Sequence, residues 1–226
     1  MADNAFLDKS ITLGYIFLSD PQHRVCRKYI HTGDTDYYAT REVEEVYHRR
    51  RDEIIKKHKE AILHHIQNVT STFEGQLTDE NIEKIRGQIN RRKNPAWRYL
   101  EDFYTGKAGQ EVHIVTRGLR DVIRDLEARA KARQSALYER MNGWLRFKSY
   151  NDIQDRLQML VERGEEEDMR MILDAHDIAS NVEGFTELTT ANPKEFDDPE
   201  VKQVIEDHTN IDHIELVFVS RDYKPT

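Results

Sequence analysis

Cysteine and long apolar runs are both scarce in this 226-residue sequence. The single cysteine, Cys26, excludes an internal disulfide bond and is typical of a protein kept in a reducing compartment. No apolar run approaches the roughly 20 residues that a membrane-spanning helix needs, and no signal-peptide pattern is present. We therefore expect a cytoplasmic protein that has no membrane partner.

Several familiar catalytic motifs are also missing. The sequence contains no P-loop and no Gly-rich dinucleotide-binding motif, so it gives no sign of a nucleotide cradle of either kind. It also shows no arrangement of Ser, His and Asp, or of Cys and His, that indicates a nucleophilic enzyme. The remaining candidates for a catalytic or binding role are the abundant acidic residues.

Charge is plentiful but unevenly distributed along the chain. Charged residues make up 34% of the sequence and hydrophobic residues 38%, which is typical of a protein with long exposed helices. Residues 165–226 contain 17 Asp and Glu against 5 Lys and Arg, whereas residues 1–164 contain 25 acids and 29 bases. The first part of the chain can therefore attract a polyanion, and the last part cannot unless cations shield it.

The order of the predicted elements indicates an α/β protein with a parallel sheet. An uncharged apolar run at residues 5–7 predicts a buried strand, and a helix and an aromatic strand at 35–40 follow it. A long helix is predicted over 41–69, and from 151 onward helices alternate with strands at 185–190 and 211–220.

Residues 70–150 have a different character. They hold helical patterns separated by glycines, and their one candidate strand is 112–115. We therefore predict a mainly helical insertion at 70–150, placed between two parts of one α/β domain, residues 1–69 and 151–226.

Acidic residues occur at four places that a parallel sheet can bring together. Asp8 ends the first strand, and Glu44 and Glu45 follow the second strand. The other two places are Asp174 and Asp177, on one side of a helix, and Asn192 to Glu195, after the strand at 185–190. The carboxyl ends of parallel strands meet at one edge, where such sheets bind ligands. Clustered acids indicate Mg²⁺ or Mn²⁺. The alternatives are an N-cap role for Asp8 and solvated surface positions for the others.

In this order, the motifs resemble those of PIN-domain ribonucleases. FLDKSITLGYIF resembles the opening strand of the family, ATREVEEVYHRR its segment after the second strand, and DAHDIASNVEGFTELTTANPKEF its acidic helix, strand and final acidic loop. The resemblance covers residues 4–60 and 165–220. It implies a three-layer α/β/α PIN-like domain with a central parallel sheet.

The resemblance also implies a reaction and a set of site residues. The expected activity is hydrolysis of RNA phosphodiester bonds by an endoribonuclease that depends on Mg²⁺ or Mn²⁺. The catalytic residues carried over are Asp8, Glu45, Asp174 and Asp177, and the metal ligands are Asp8, Glu45, Asp174 and Asn192. Asn192 stands where the family has an acid, and Glu195 replaces its last Asp. That departure favours an alternative, an RNA-binding or scaffold protein whose PIN-like fold has weakened catalysis.

Basic and hydroxyl side chains are the candidates for holding RNA. We predict contacts from the following residues: Ser10, Arg49, Arg50, Arg91, Arg92, Lys93 and Trp97. Ser10 would hold a phosphate or the Asp8 carboxylate, and the basic runs would follow the phosphate backbone. Trp97 would stack on a base. The alternatives are solvated helix faces for the arginines and core packing for Trp97. The sequence leaves open whether the protein forms a homodimer and whether another protein binds and inhibits it.

Overall fold

The chain forms a five-stranded sheet in which every strand is parallel to its neighbours. The computed structural model describes residues 2–91, 93–146, 148–158 and 166–218, without the side chains of residues 40–47. The strands are β1 (Asn4–Leu7), β2 (Asp36–Thr40), β3 (Met141–Trp144), β4 (Thr186–Thr190) and β5 (His213–Leu216). Their order across the sheet is β3-β2-β1-β4-β5. The predicted α/β class and the parallel sheet are therefore confirmed.

Ten helices are assigned in the described part of the chain. They are α1 (Lys9–Ile16), α2 (His23–Thr32), α3 (Arg41–Thr72), α4 (Asp79–Gln88), α5 (Trp97–Phe103), α6 (Val112–Tyr138), α7 (Asn151–Arg156), α8 (Glu166–Ala179), α9 (Pro193–Phe196) and α10 (Pro199–His208). None of these helices is both long and apolar enough to cross a membrane.

The central strand β1 is the most buried part of the sheet. Its four residues carry no charge and are all buried, and Phe6 pairs in register with Tyr38 on one side and Leu188 on the other. Phe6 and Leu188 pack with buried residues of α7, α8 and α10 on one face. On the opposite face, the Tyr29 hydroxyl of α2 bonds to Glu187 of β4. Helices therefore cover both faces, as parallel sheets require.

The chain divides into two compact units. The sheet unit combines Met1–His48 with Gln134–Thr226, and the helical unit is Arg49–Arg133. The helical unit has its own buried side chains, which include Ile62, Leu77, Ile85, Leu100, Leu119 and Leu126. Thr78 caps α4 by accepting a hydrogen bond from the Asn81 main-chain nitrogen at 3.2 Å.

Three sequence-based expectations differ from this fold. The strand expected at 112–115 is wrong, because these residues begin α6 and bury Val112 and Val115 at helical spacing. The loop expected after β4 contains the short helix α9. Strand β3 was not predicted, and it lies inside the segment 70–150 that we interpreted as a helical insertion. The compact helical unit is accordingly Arg49–Arg133, which begins within α3 and ends within α6.

Candidate active site

Asp8 lies at the carboxyl edge of the sheet, directly after β1. Its main-chain nitrogen donates to Thr189 O at 2.9 Å, which extends the pairing with β4 by one residue. Asp8 occupies the N-cap position of α1, but its side chain makes no capping hydrogen bond. Asp8 is therefore the N-cap residue of α1 by its backbone position, as the alternative predicted, but its carboxylate does not cap the helix.

The Asp8 carboxylate is buried and only half satisfied. Its side chain is 1% exposed, and Oδ2 accepts hydrogen bonds from Ser10 Oγ at 2.5 Å and from Thr190 Oγ1 at 2.8 Å. Oδ1 has no hydrogen-bond partner in the structure. Burial raises the pKa of Asp8, whereas the two hydroxyl groups and Lys9 lower it. A carboxylate in this position is costly to bury unless a positive charge reaches its free oxygen.

The two hydroxyl groups are themselves held by main-chain donors. Ala191 N donates to Ser10 Oγ at 2.8 Å, and Asn192 N donates to Thr190 Oγ1 at 3.1 Å. Because each oxygen accepts from the main chain, its proton is directed to Asp8. Of the two roles predicted for Ser10, the structure shows contact with the Asp8 carboxylate.

A second buried acid, Asp168, belongs to the same region. It lies in the first turn of α8, is 2% exposed, and leaves Oδ2 without a hydrogen-bond partner. Burial, followed by the neighbouring carboxyl group of Glu195, raises the pKa of Asp168 to about 8. Asp8 adds to this rise, and Lys9 opposes it. Asp8, Asp168 and Glu195 are therefore close enough to influence one another's charge.

Asn192 and Glu195 are joined at the end of β4. The Asn192 side-chain amide donates a short hydrogen bond to Glu195 Oε2 across the start of α9. Asn192 therefore holds the acid that lies beside Asp168. In the resemblance, Asn192 was expected to be a metal ligand in its own right, and here it contacts an acid.

The predicted residues Asp174 and Asp177 have different partners. Arg146 Nε lies 3.0 Å from Asp174 Oδ1. Asp177 accepts from Trp144 Nε1 at 2.9 Å and from the Tyr150 hydroxyl at 2.5 Å, so both of its oxygens are satisfied. The structure thus places Asp177 in a structural network between β3, α7 and α8.

Helix geometry separates Asp174 from Asp168. The six intervening steps advance about 9 Å along the axis and turn the side chain by about 240°. The acid of α8 whose pKa Asp8 raises is Asp168, which the sequence analysis did not select. One signal points to it, because Asp168 shares a helix face with the buried Met171, Ile172 and Ala175. An acid inside an apolar stripe is unusual on a helix and can be recognised from the sequence.

The predicted ligand Glu45 lies outside the described side chains, as does its competitor Glu44. Their backbone belongs to α3. Among the side chains that the structure does describe, no group of three or more His, Cys, Asp or Glu is arranged to hold a metal ion. The buried acids Asp8 and Asp168 each have one carboxylate oxygen without a hydrogen-bond partner.

Apart from Ser10, the residues predicted to hold RNA belong to the helical unit and lie in different environments. Arg49 and Arg50 are exposed on α3, Lys93 is exposed, and Arg92 lies outside the described residues. Arg91 is engaged, because its Nε lies 2.7 Å from Glu101 Oε1 and its guanidinium lies over Trp97. Arg98 also contacts the Trp97 ring, at 4.9 Å from its centre. Trp97 is half-buried, and its predicted stacking on a base stays a prediction.

Comparisons of the chain with models of known protein families, with curated proteins and with solved structures find no match. The site consists of two buried carboxylates with free oxygens, a third acid beside one of them, and one lysine, at the carboxyl edge of a parallel sheet.

Proposed function

We propose that this protein is a divalent-metal-dependent endoribonuclease with a PIN-like fold. The observation that carries the proposal is that Asp8 and Asp168 are buried and each leaves one carboxylate oxygen without a partner. Such oxygens are ligands for Mg²⁺ and Mn²⁺. They lie where parallel sheets place their ligands, after the carboxyl end of the central strand.

The residues present fit a hard cation. Mg²⁺ is commonly bound by one or two carboxylates, with water and substrate phosphates completing its coordination, so a cage of three or more acids is not required. Asp8 and Asp168 would hold the ion, and Glu195 would lie beside them as a neighbouring acid. The bound ion would supply a more acidic water and stabilise the leaving oxygen.

The other side chains of the site have supporting roles in this proposal. Ser10 and Thr190 fix the orientation of Asp8 through its second oxygen. Asn192 orients Glu195. Before a metal ion binds, Lys9 partly offsets the negative charge of these acids, because its ammonium group lies 3.1 Å from Glu167 Oε2 and 3.2 Å from Asp168 Oδ1.

The test combines metal binding with cleavage. We expect Mn²⁺ to bind the parent protein and to support cleavage of RNA that EDTA abolishes. Asp8→Asn and Asp168→Asn should each weaken Mn²⁺ binding and cleavage at least tenfold, since each removes a charged ligand. Glu166→Gln is the matched control, because Glu166 is an exposed acid in the same helical turn as Asp168. Equal losses in the control, or cleavage that persists in EDTA, would refute the proposal.

One observation favours a second candidate function, an RNA-binding protein without catalysis. Lys9 and Arg146 already place cations beside Asp168 and Asp174, the two α8 acids of interest. In this candidate the internal cations replace a metal. RNA binding with no Mn²⁺ binding by calorimetry would favour it over the nuclease.

A further inference from the structure

The helix α6 has one face buried and the opposite face exposed. Leu119, Leu126, Ala130 and Leu137 are buried along one side of the helix. The opposite side carries four basic residues, Arg117, Arg120, Arg124 and Lys131, which we call the α6 basic stripe. All four are exposed. None of them was selected from the sequence as a nucleic-acid-binding residue.

The α6 basic stripe is narrow and long. At 3.6 residues per turn, its four residues fall within an arc of about 60°, and Arg117 and Lys131 are about 21 Å apart along the helix axis. Between Arg124 and Lys131 the arc holds no residue, and Glu127 and Ala128 each lie about 20° outside it. The stripe is a straight row of charges on a rigid element.

Most of these charges are not neutralised by the protein. Arg124 forms an ion pair with Asp121 on the same helix. Arg117, Arg120 and Lys131 have no acidic or aromatic partner among the residues that the structure describes. Like charges three and four residues apart repel one another, so this arrangement does not stabilise the helix.

Several other cations of the helical unit are neutralised by acids. Lys59 is paired with Glu127, Arg91 with Glu101, and Arg129 with Asp125. The helical unit contains 19 Lys and Arg against 13 Asp and Glu, whereas the sheet unit contains 15 against 29. The net charge of the helical unit is thus +6 and that of the sheet unit is −14. The stripe supplies four of the 19 cations of the positively charged unit, which a polyanion would be drawn to.

We infer that the α6 basic stripe binds the phosphate backbone of base-paired RNA. This inference rests on the proposed function and names the class of RNA that the protein holds. A straight row of cations without aromatic side chains contacts phosphates and reads no bases. Single-stranded RNA is typically held by base stacking on aromatic rings, and the stripe has none. Base-paired RNA is recognised largely through shape and backbone contacts, which a rigid row can provide.

An anionic membrane surface fits the stripe less well. A membrane-binding helix needs an apolar face beside its cations. On α6 the stripe is flanked by Asp121 and Glu127, and Ile114 is the large apolar side chain that the helix exposes. Membrane binding is therefore an outcome of the test and not part of the proposal.

The test compares two triple variants that remove the same charge from the full-length protein. The stripe variant is Arg117→Gln, Arg120→Gln and Lys131→Gln. The control variant is Lys84→Gln, Lys107→Gln and Arg129→Gln, whose cations contact Phe73, Phe103 and Asp125. Glutamine is a good helix former, and circular dichroism checks that both variants are folded.

Binding of a labelled RNA duplex is measured by fluorescence anisotropy in EDTA over a range of salt concentrations. The stripe variant should bind at least about tenfold more weakly, and the slope of log K against log salt should fall by about 2.7, or 0.9 for each lost phosphate contact. The control variant should change little. Two duplexes of different sequence should bind with similar affinity.

Four results would overturn the inference. They are an unchanged stripe variant, equal losses in both variants, stripe-dependent binding that is tighter for single-stranded RNA than for the duplex, and binding to anionic vesicles in the absence of RNA binding. Because no metal is present, this test is independent of cleavage. Duplex binding without any nuclease activity would remove the proposed catalysis and leave the stripe inference intact.

Discussion

The ammonium group of Lys9 lies 3.2 Å from a carboxylate oxygen of Asp168, although 159 positions separate the two residues in the chain. Lys9 directly follows Asp8, so the site contains a cation beside its buried acids. Burial and Glu195 nevertheless raise the pKa of Asp168 to about 8 against the opposing effect of Lys9. The lysine therefore compensates the cluster only in part, and the site can still accept a further positive charge.

We predict that Lys9→Gln makes the protein more dependent on a divalent metal. Without metal, the loss of the partner of a buried acid should lower the free energy of unfolding by about 1–3 kcal/mol. Mn²⁺ should then raise the melting temperature more in the variant than in the parent, because bound ligand stabilises by RT ln(1 + [L]/Kd) and a competing cation has been removed.

The control is Lys202→Gln, since Lys202 forms an exposed ion pair with Asp197 at 3.1 Å. It should change neither the stability nor the response to Mn²⁺ by a measurable amount. If Mn²⁺ shifts the melting temperature of parent and Lys9→Gln equally, Lys9 does not compete with a metal.

Two of the three buried threonines of β4, Thr186 and Thr190, should respond in opposite ways to valine. Thr190 Oγ1 donates to Asp8 Oδ2 and accepts from Asn192 N, so Thr190→Val should lower the free energy of unfolding by about 1–3 kcal/mol. Thr186 Oγ1 is buried without a hydrogen-bond partner, so Thr186→Val should be neutral or stabilising. Urea denaturation measures both, and equal effects would mean that the Thr190 hydroxyl does not support Asp8.

Local pattern was enough to predict most of the sheet. β1 is a short uncharged run next to the start of the chain, and β4 and β5 follow helices with clear ends, so their spacing indicates parallel strands. β3 was missed because Met141–Trp144 contains Gly143, is half-exposed, and lies at an edge of the sheet. Its strand conformation depends on pairing with β2, where Tyr37 faces Met141, and no local signal encodes that contact.

The site was predicted in part, and the reason differs for each acid. Asp8 was found because the end of a buried strand can be read from the sequence. Choosing between Asp168 and Asp174 required knowledge of where α8 begins relative to the sheet, which depends on tertiary packing. Arg146, the partner of Asp174, follows the unpredicted strand β3, so this ion pair could not be anticipated.

Gly14 allows α1 and α2 to pack closely. A Cβ atom added at Gly14 would lie 2.7 Å from Cys26 Sγ, and both residues are buried. Gly14→Ala should therefore lower the free energy of unfolding by about 1–3 kcal/mol through overpacking. Gly87→Ala is the control, because a Cβ there meets nothing within 4 Å, and in α4 it should stabilise by about 0.5–1 kcal/mol.

A double-mutant cycle tests the cause of this effect. Cys26→Ala removes the sulfur that the new methyl group would meet, so Gly14→Ala should cost less in the Cys26→Ala background than in the parent. If the two free-energy changes simply add, contact with Cys26 is not the reason that residue 14 is glycine.

Two buried histidines should make the helical unit sensitive to mild acid. Burial lowers the pKa values of His58 and His65 to about 4, from an ordinary value of about 6.5. The unfolded chain therefore binds more protons than the folded chain between these values. The stability that the neutral rings contribute is complete above pH ~6.5 and is lost as the pH falls toward about 4.

We predict that the free energy of unfolding falls by about 2 kcal/mol per buried histidine between neutral pH and pH ~5. His65→Gln should remove the share of this pH dependence that His65 contributes, although it also weakens the bond between His65 Nε2 and the Tyr104 hydroxyl. His113→Gln, at an exposed position of α6, should leave the pH dependence unchanged. Urea denaturation at several pH values measures the slope, and a His65→Gln variant whose stability falls as steeply as that of the parent would show that acid acts elsewhere.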